Sequence, residues 1–167
     1  MTNKDPVAIA LPLIKEHEGF SAVPYLDPVQ VWTVGYGHAI SVGGKHLRGP
    51  ADRTAAFSLY PKPLSRAQAE ALLLDDVTRR YARPVLAALA KDGVQVSAHA
   101  QAALISFAYN LGVDRLLGST LYSLVVAGDL KAAAGEFPKW NRGGGHVLPG
   151  LIRRRRDEAA LFNVRDA

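Results

Sequence analysis

Cysteine is absent from the 167 residues. No disulfide framework is therefore available, and redox chemistry assigns no compartment, although a fold that needs no oxidation suits synthesis in the cytoplasm. Long apolar runs are missing as well. No window reaches the roughly 18 apolar residues of a membrane span, so none is expected. The start, Met1-Thr2-Asn3-Lys4-Asp5-Pro6, lacks the charged-then-apolar order of a secretion signal, and the apolar run from Val7 to Ile14 is short and interrupted by Pro12. If the substrate lies outside the inner membrane, something else must carry the protein there. Metal-ligand spacing is absent from the histidines His17, His38, His46, His99 and His146, so no metal is expected. Internal repeats and low-complexity tracts are also missing.

What is present is an apolar fraction of 49% and a net charge of +5. That apolar content supports a core, and the length fits one domain or one domain with two lobes. A basic surface favours polyanions through steering and counterion release. Nucleic acid is one such partner and the bacterial wall another, and charge alone does not choose between them.

One stretch, from Glu18 to His38, concentrates the chemistry. Leu11, Ile14 and Glu18 recur at helical spacing, with Asp5-Pro6 as cap and first helical residue. Pro12 either kinks this helix or marks a fresh start near Leu11. Gly19 stops it, leaving Glu18 at a helix end beside an apolar surface, the setting in which a carboxyl keeps its proton. Tyr25 to Leu26 and Val31 to Tyr36 read as short strands around an Asp27-Pro28-Val29-Gln30 turn. Two acids nine positions apart, on different elements, can face each other as glycoside hydrolysis requires. Each part also has an explanation without chemistry. Asp is favoured at the first turn position, Gly35 and Gly37 permit tight packing, and His38 suits a structural hydrogen bond.

Beyond it, residues 39–64 are punctuated by Gly and Pro, with a short helix expected from Pro50 to Tyr60. Ser65-x-x-Gln68 is a capping box that opens a long helix to about Leu89, which Pro84 should kink or end. Ser97, Ser119 and Asp129 cap further helices, closed in turn by Gly112, by Gly128 and near Phe137. Gly143-Gly144-Gly145 forms a loop, and Pro149 opens a final helix through Arg153-Arg154-Arg155-Arg156 to Phe162. Neighbours on a helix point about 100° apart, so one or two of these arginines are expected to pair inward while the rest are solvated. Trp140 reads as core.

The motif Glu18, Asp27, Thr33, Gly35-Tyr36-Gly37-His38 resembles the active-site segment of the phage-type lysozymes, glycoside hydrolase family 24, which includes tailed-phage endolysins. The likeness continues through Ala103 to Gly112, through Ser119-Thr120-Leu121, through Phe137-x-x-Trp140-Asn141, and through Leu148-Pro149-Gly150-Leu151-x-x-Arg154-Arg155-x-x-Glu158-x-x-Leu161-Phe162. It is loosest in residues 39–64.

The resemblance implies an α+β, mainly helical, lysozyme-like fold of two lobes in a single domain. It places a small β-hairpin catalytic lobe at about 14–64, a linking helix at about 65–90, and a helical lobe at about 91–167 that takes in the N-terminal helix. It implies Glu18 as general acid, with Asp27 and Thr33 positioning water. It also implies His38, Tyr109, Asn110 and Thr120 as substrate contacts; at Ala134 the family can carry a polar residue that this chain lacks. One of Arg153 to Arg155 is expected to face Glu18. The implied activity is that of a muramidase cutting the β-1,4 bond between N-acetylmuramic acid and N-acetylglucosamine in bacterial peptidoglycan. No cofactor and no specific nucleic-acid partner are implied. The implied setting is a monomer in the host cytoplasm that reaches the wall after a holin opens the membrane. A lytic transglycosylase, a non-catalytic basic wall- or DNA-binding module and a bacterial effector are the rivals.

Overall fold

The computed structural model describes residues 5–165. They form two compact units, one of residues 18–76 and one of residues 5–17 with 77–165. The protein is mixed α+β and mainly helical, with a lysozyme-like fold. None of its described helices is long and apolar enough to cross a membrane.

Helix α1 spans Pro6–Glu18. Asp5 caps it, its carboxylate accepting the Val7 N–H at 2.9 Å. Pro12 lies inside the helix, so the fresh start near Leu11 does not occur. Its ring is on the exposed side, while Val7, Ala10 and Ile14 are buried.

The small unit is built on three antiparallel strands, β1 Ser21–Leu26, β2 Trp32–Gly35 and β3 His38–Ala39, in that order. Alternation divides them cleanly. Trp32 and Val34, with Leu26 beside them, face a core completed by Ile40, Leu47 and Ala56. Trp32 is fixed there by donating its indole N–H to the Gly49 carbonyl at 2.7 Å. The other face carries Tyr25 opposite Thr33, and Gly35 opposite Ser21. Gly35 has φ +67, and a Cβ there would lie 3.2 Å from the Ala69 Cβ, so both the backbone and the packing require glycine.

Residues 39–64 hold more structure than their composition suggests. A small hairpin pairs β4 Ser41–Val42 with β5 Lys45–His46 through Gly43 and Gly44, which take the left-handed turn conformation. A 3-10 turn, Pro50–Asp52, leads into α2 Arg53–Leu59.

The capping box forms in full. Ser65 accepts from the Gln68 N–H at 3.2 Å, and Gln68 accepts from the Ser65 N–H at 2.9 Å. It opens α3 Arg66–Asp76, which continues as a π-helical turn Val77–Ala82 and then α4 Arg83–Lys91. Pro84 therefore does not end the helix. The widened turn just before it absorbs the bond that proline cannot make.

In the helical unit, α5 Ala98–Leu111 is the central element, buried almost all round from Ala102 to Ala108. Such a helix belongs in the middle of a core. It packs against α9 Pro149–Phe162. Between them in sequence lie α6 Val113–Leu117, α7 Thr120–Val126 and α8 Leu130–Glu136, then a 3-10 turn and the hairpin of β6 Arg142–Gly143 with β7 His146–Val147. The sequence signals missed α6 and this hairpin. Ser97, Ser119 and Asp129 cap as expected, accepting from Ala100, Tyr122 and Ala132. Phe107 meets Phe137 edge-on at 5.7 Å and Trp140 at 5.4 Å, which places half-buried Trp140 against the core.

Candidate active site

The expected catalytic residues Glu18, Asp27 and Thr33, and the expected contact His38, lie in the small unit. Glu18 is the last residue of α1, half-buried, and the chain turns away at Gly19 with φ +70. Only a residue tolerant of that conformation lets the helix stop there and the strand begin two residues later.

Asp27 closes the β1–β2 hairpin. One of its carboxylate oxygens accepts the N–H groups of Val29 at 2.9 Å and Val31 at 2.7 Å. Its backbone N–H donates to Val31 at 2.9 Å, and Gln30 takes φ 64 to complete the turn. The side chain is thus held in place by the loop it organises. Because Oδ1 carries both bonds, Oδ2 remains for solvent or a ligand.

Thr33 is buried in β2, where its hydroxyl donates to the Val31 carbonyl at 3.2 Å. That bond fixes the direction of the proton and leaves the oxygen as an acceptor. Tyr25 lies directly across the strand pair from Thr33. Its phenol is pushed up by burial first, then by the charges of Glu18 and Asp27, so both carboxylates stand close to it. Glu18, Gly19, Phe20, Ser21, Tyr25 and Gly35 line a cavity of about 330 Å³. The Arg66 guanidinium stacks on the Phe20 ring at 4.6 Å and donates to the Tyr36 hydroxyl at 3.3 Å. This braces the wall next to Glu18 from the first turn of α3.

His38 is half-buried and its Nδ1 lies 2.6 Å from an oxygen of buried Asp76. Tyr60 meets the same pair. Its ring stands edge-on to His38 at 6.4 Å, and its phenol is pushed up by burial and then by Asp76. His38 is therefore anchored within the unit through Nδ1, consistent with the structural hydrogen bond that its residue type suggests.

The remaining expected contacts belong to the helical unit. Tyr109 is half-buried and packs against Tyr81 with ring centroids 4.8 Å apart. Asn110 accepts from Arg155 at 2.9 Å. Thr120 is exposed in the first turn of α7. Two of the four arginines turn inward as expected. Arg155 pairs with Glu158 at 2.9 Å and Arg154 pairs with it at 3.2 Å, while Arg153 and Arg156 are exposed. Ser106 donates to Glu158 at 2.7 Å. Burial pushes the Glu158 carboxyl up, against the pull of Arg155, Arg154 and Ser106.

Sequence reasoning missed three residues of the small unit: Tyr25, Asp76 and Arg66. The signal for Tyr25 was its place two residues before Asp27, near the end of the strand that leads into the turn. Asp76 and Arg66 gave none, because their partners lie 38 and 30 residues away. Among the described residues no three His, Asp or Glu side chains gather as a metal site.

A family model described as phage lysozyme matches residues 15–158. An endolysin of Bacillus phage B103 is 37% identical over 153 residues, covering 90% of this chain and 51% of the relative. The chain thus spans about half the length of that relative. Among solved structures, the muramidase domain of SpmX from Asticaccaulis excentricus aligns with TM-score 0.72 at 27% identity, covering 93% of this chain and 95% of that one. An endolysin from Escherichia coli O157:H7 phage FAHEc1 aligns with TM-score 0.70 at 28% identity, covering 98% and 94%. The chain belongs to the phage lysozyme family.

Proposed function

We propose that this protein is a peptidoglycan-lytic muramidase that hydrolyses the β-1,4 bond between N-acetylmuramic acid and N-acetylglucosamine. The observation that carries the reading is that Glu18 at the end of α1 lines one cavity with Tyr25, while the hairpin holds Asp27 two residues on and sets Thr33 opposite Tyr25. Glu18, half-buried beside an aromatic wall, donates the proton to the leaving glycosidic oxygen. Asp27 accepts a proton from the attacking water through Oδ2, since backbone donors hold Oδ1. Thr33 accepts the water's second hydrogen, because its own proton is committed to Val31. Atoms balance: one water adds across one glycosidic bond, its proton passing to Asp27 while that of Glu18 goes to the leaving sugar. In a phage setting, a holin supplies the route to the wall.

Mass spectrometry of fragments released from purified peptidoglycan tests this. Saturated N-acetylmuramic acid with a free reducing end is expected. A 1,6-anhydro terminus would make the protein a transglycosylase and remove the water-placing roles of Asp27 and Thr33. Reducing N-acetylglucosamine ends would place the cut at the other linkage.

A further inference from the structure

Strand alternation puts Tyr25 on the same face as Thr33, and away from the core that holds Leu26, Trp32 and Val34. Its ring lines the cavity that also takes Glu18, Phe20 and Gly35. The residue is 39% exposed, so it lines the cavity without being sealed in the core. Among the described residues no group pairs with that hydroxyl. A phenol that lines the cavity beside Glu18 with no protein partner is free to donate to a ligand there.

We propose that the Tyr25 hydroxyl is a substrate-binding group that donates a hydrogen bond to an uncharged oxygen of the amino sugar held beside Glu18. The inference rests on the muramidase reading and adds a residue to it. The acceptor is uncharged because an anionic atom placed there would be repelled by the Asp27 carboxylate. Both sugar types of the wall offer neutral oxygens of this kind in their hydroxyl and acetamido groups. Burial, the largest cause, pushes the phenol up from an ordinary 10.0, so it is protonated and able to donate through the neutral range. Phe20, braced by Arg66, supplies an apolar surface on the same wall. The arrangement gives sugar recognition its two usual parts, a ring face and a directed polar group.

Tyr25→Phe keeps the ring and removes only the donor. Calorimetric binding of a soluble tetrasaccharide of alternating N-acetylglucosamine and N-acetylmuramic acid measures the loss. The Glu18→Gln background keeps that sugar intact during the measurement. About tenfold weaker binding is expected for the double variant than for Glu18→Gln alone, the value of one hydrogen bond, with an unchanged thermal midpoint. Equal binding by the two proteins would overturn the proposal. The muramidase reading fails separately, if wild-type protein releases no reducing ends from peptidoglycan.

Discussion

The two units solve the problem of placing charge in opposite ways. The small unit, residues 18–76, carries five Lys and Arg against six Asp and Glu, a net charge of −1. The helical unit carries fifteen against nine, a net charge of +6. In the small unit Asp27 is held by backbone donors two and four residues away. In the helical unit Glu158 is held by its helix neighbours Arg154 and Arg155 and by Ser106, 52 residues distant. An acid tied to its own loop stays accessible on one oxygen. An acid enclosed by two guanidinium groups and a hydroxyl is spent on the core. The first arrangement suits chemistry and the second suits stability.

The contrast is testable. Glu158→Ala is expected to be the most destabilising change. It strands Arg154 and Arg155, which are 3% and 0% exposed, and such losses run to about 3–5 kcal/mol. Denaturant unfolding would check this. A loss under 1 kcal/mol would mean the cluster relaxes into solvent and the helical unit is no more rigidly organised than the small one.

Asp27→Ala is expected to act the other way. It should remove activity by about a hundredfold or more, as loss of a positioned acid–base group does. Its stability cost should be about 1–2 kcal/mol, from the two backbone donors left without the carboxylate. Reducing-end release and thermal unfolding on the same sample separate the two effects. A large stability loss with little loss of specific activity would reverse the assignment.

Ser119→Ala should cost about 1 kcal/mol. Its buried hydroxyl caps α7 through the Tyr122 N–H at 3.1 Å and donates to Leu116 at 2.6 Å. Its effect should stay in stability and leave the rate per folded molecule unchanged.

A pH dependence confined to strongly alkaline conditions is expected in the helical unit. Burial and the hydrogen bond to Asp92 push the Tyr122 phenol up to about 12 from an ordinary 10.0. The folded protein therefore holds this proton more tightly than the unfolded chain does. The contribution to stability is full below pH 10 and is lost as pH rises from 10 towards 12. Tyr122→Phe should flatten that alkaline loss in a series of denaturation curves. An equally steep loss in the variant would place its origin elsewhere.

The same difference explains what the sequence made legible. The motif from Glu18 to His38 could be read because its geometry is local: a helix end, a glycine, a five-residue hairpin turn and an alternating strand. The caps at Ser65, Ser97, Ser119 and Asp129 could be read for the same reason. Partners across long separations could not. Nothing near Asp76 signals His38, and nothing in the arginine run says which two turn inward until Asn110 and Ser106 are placed beside them. Of the two expectations for Pro84, a kink or an end, the end does not occur, because a proline forbids one hydrogen bond but does not forbid a wider turn, which the helix supplies at Val77–Ala82. The hairpins at 41–46 and 142–147 were hidden because two-residue strands carry no alternation to detect.

The central claim is that chemistry resides in the small unit and that the basic helical unit does not break cells by charge. The most direct test is clearing of outer-membrane-permeabilised Gram-negative cells by wild-type protein and by Glu18→Gln, at low and at high salt. The account predicts clearing by wild type alone at both salt levels, with the variant folded and inert. Equal clearing by the variant at low salt, lost at high salt, would show that charge does the work and would contradict it.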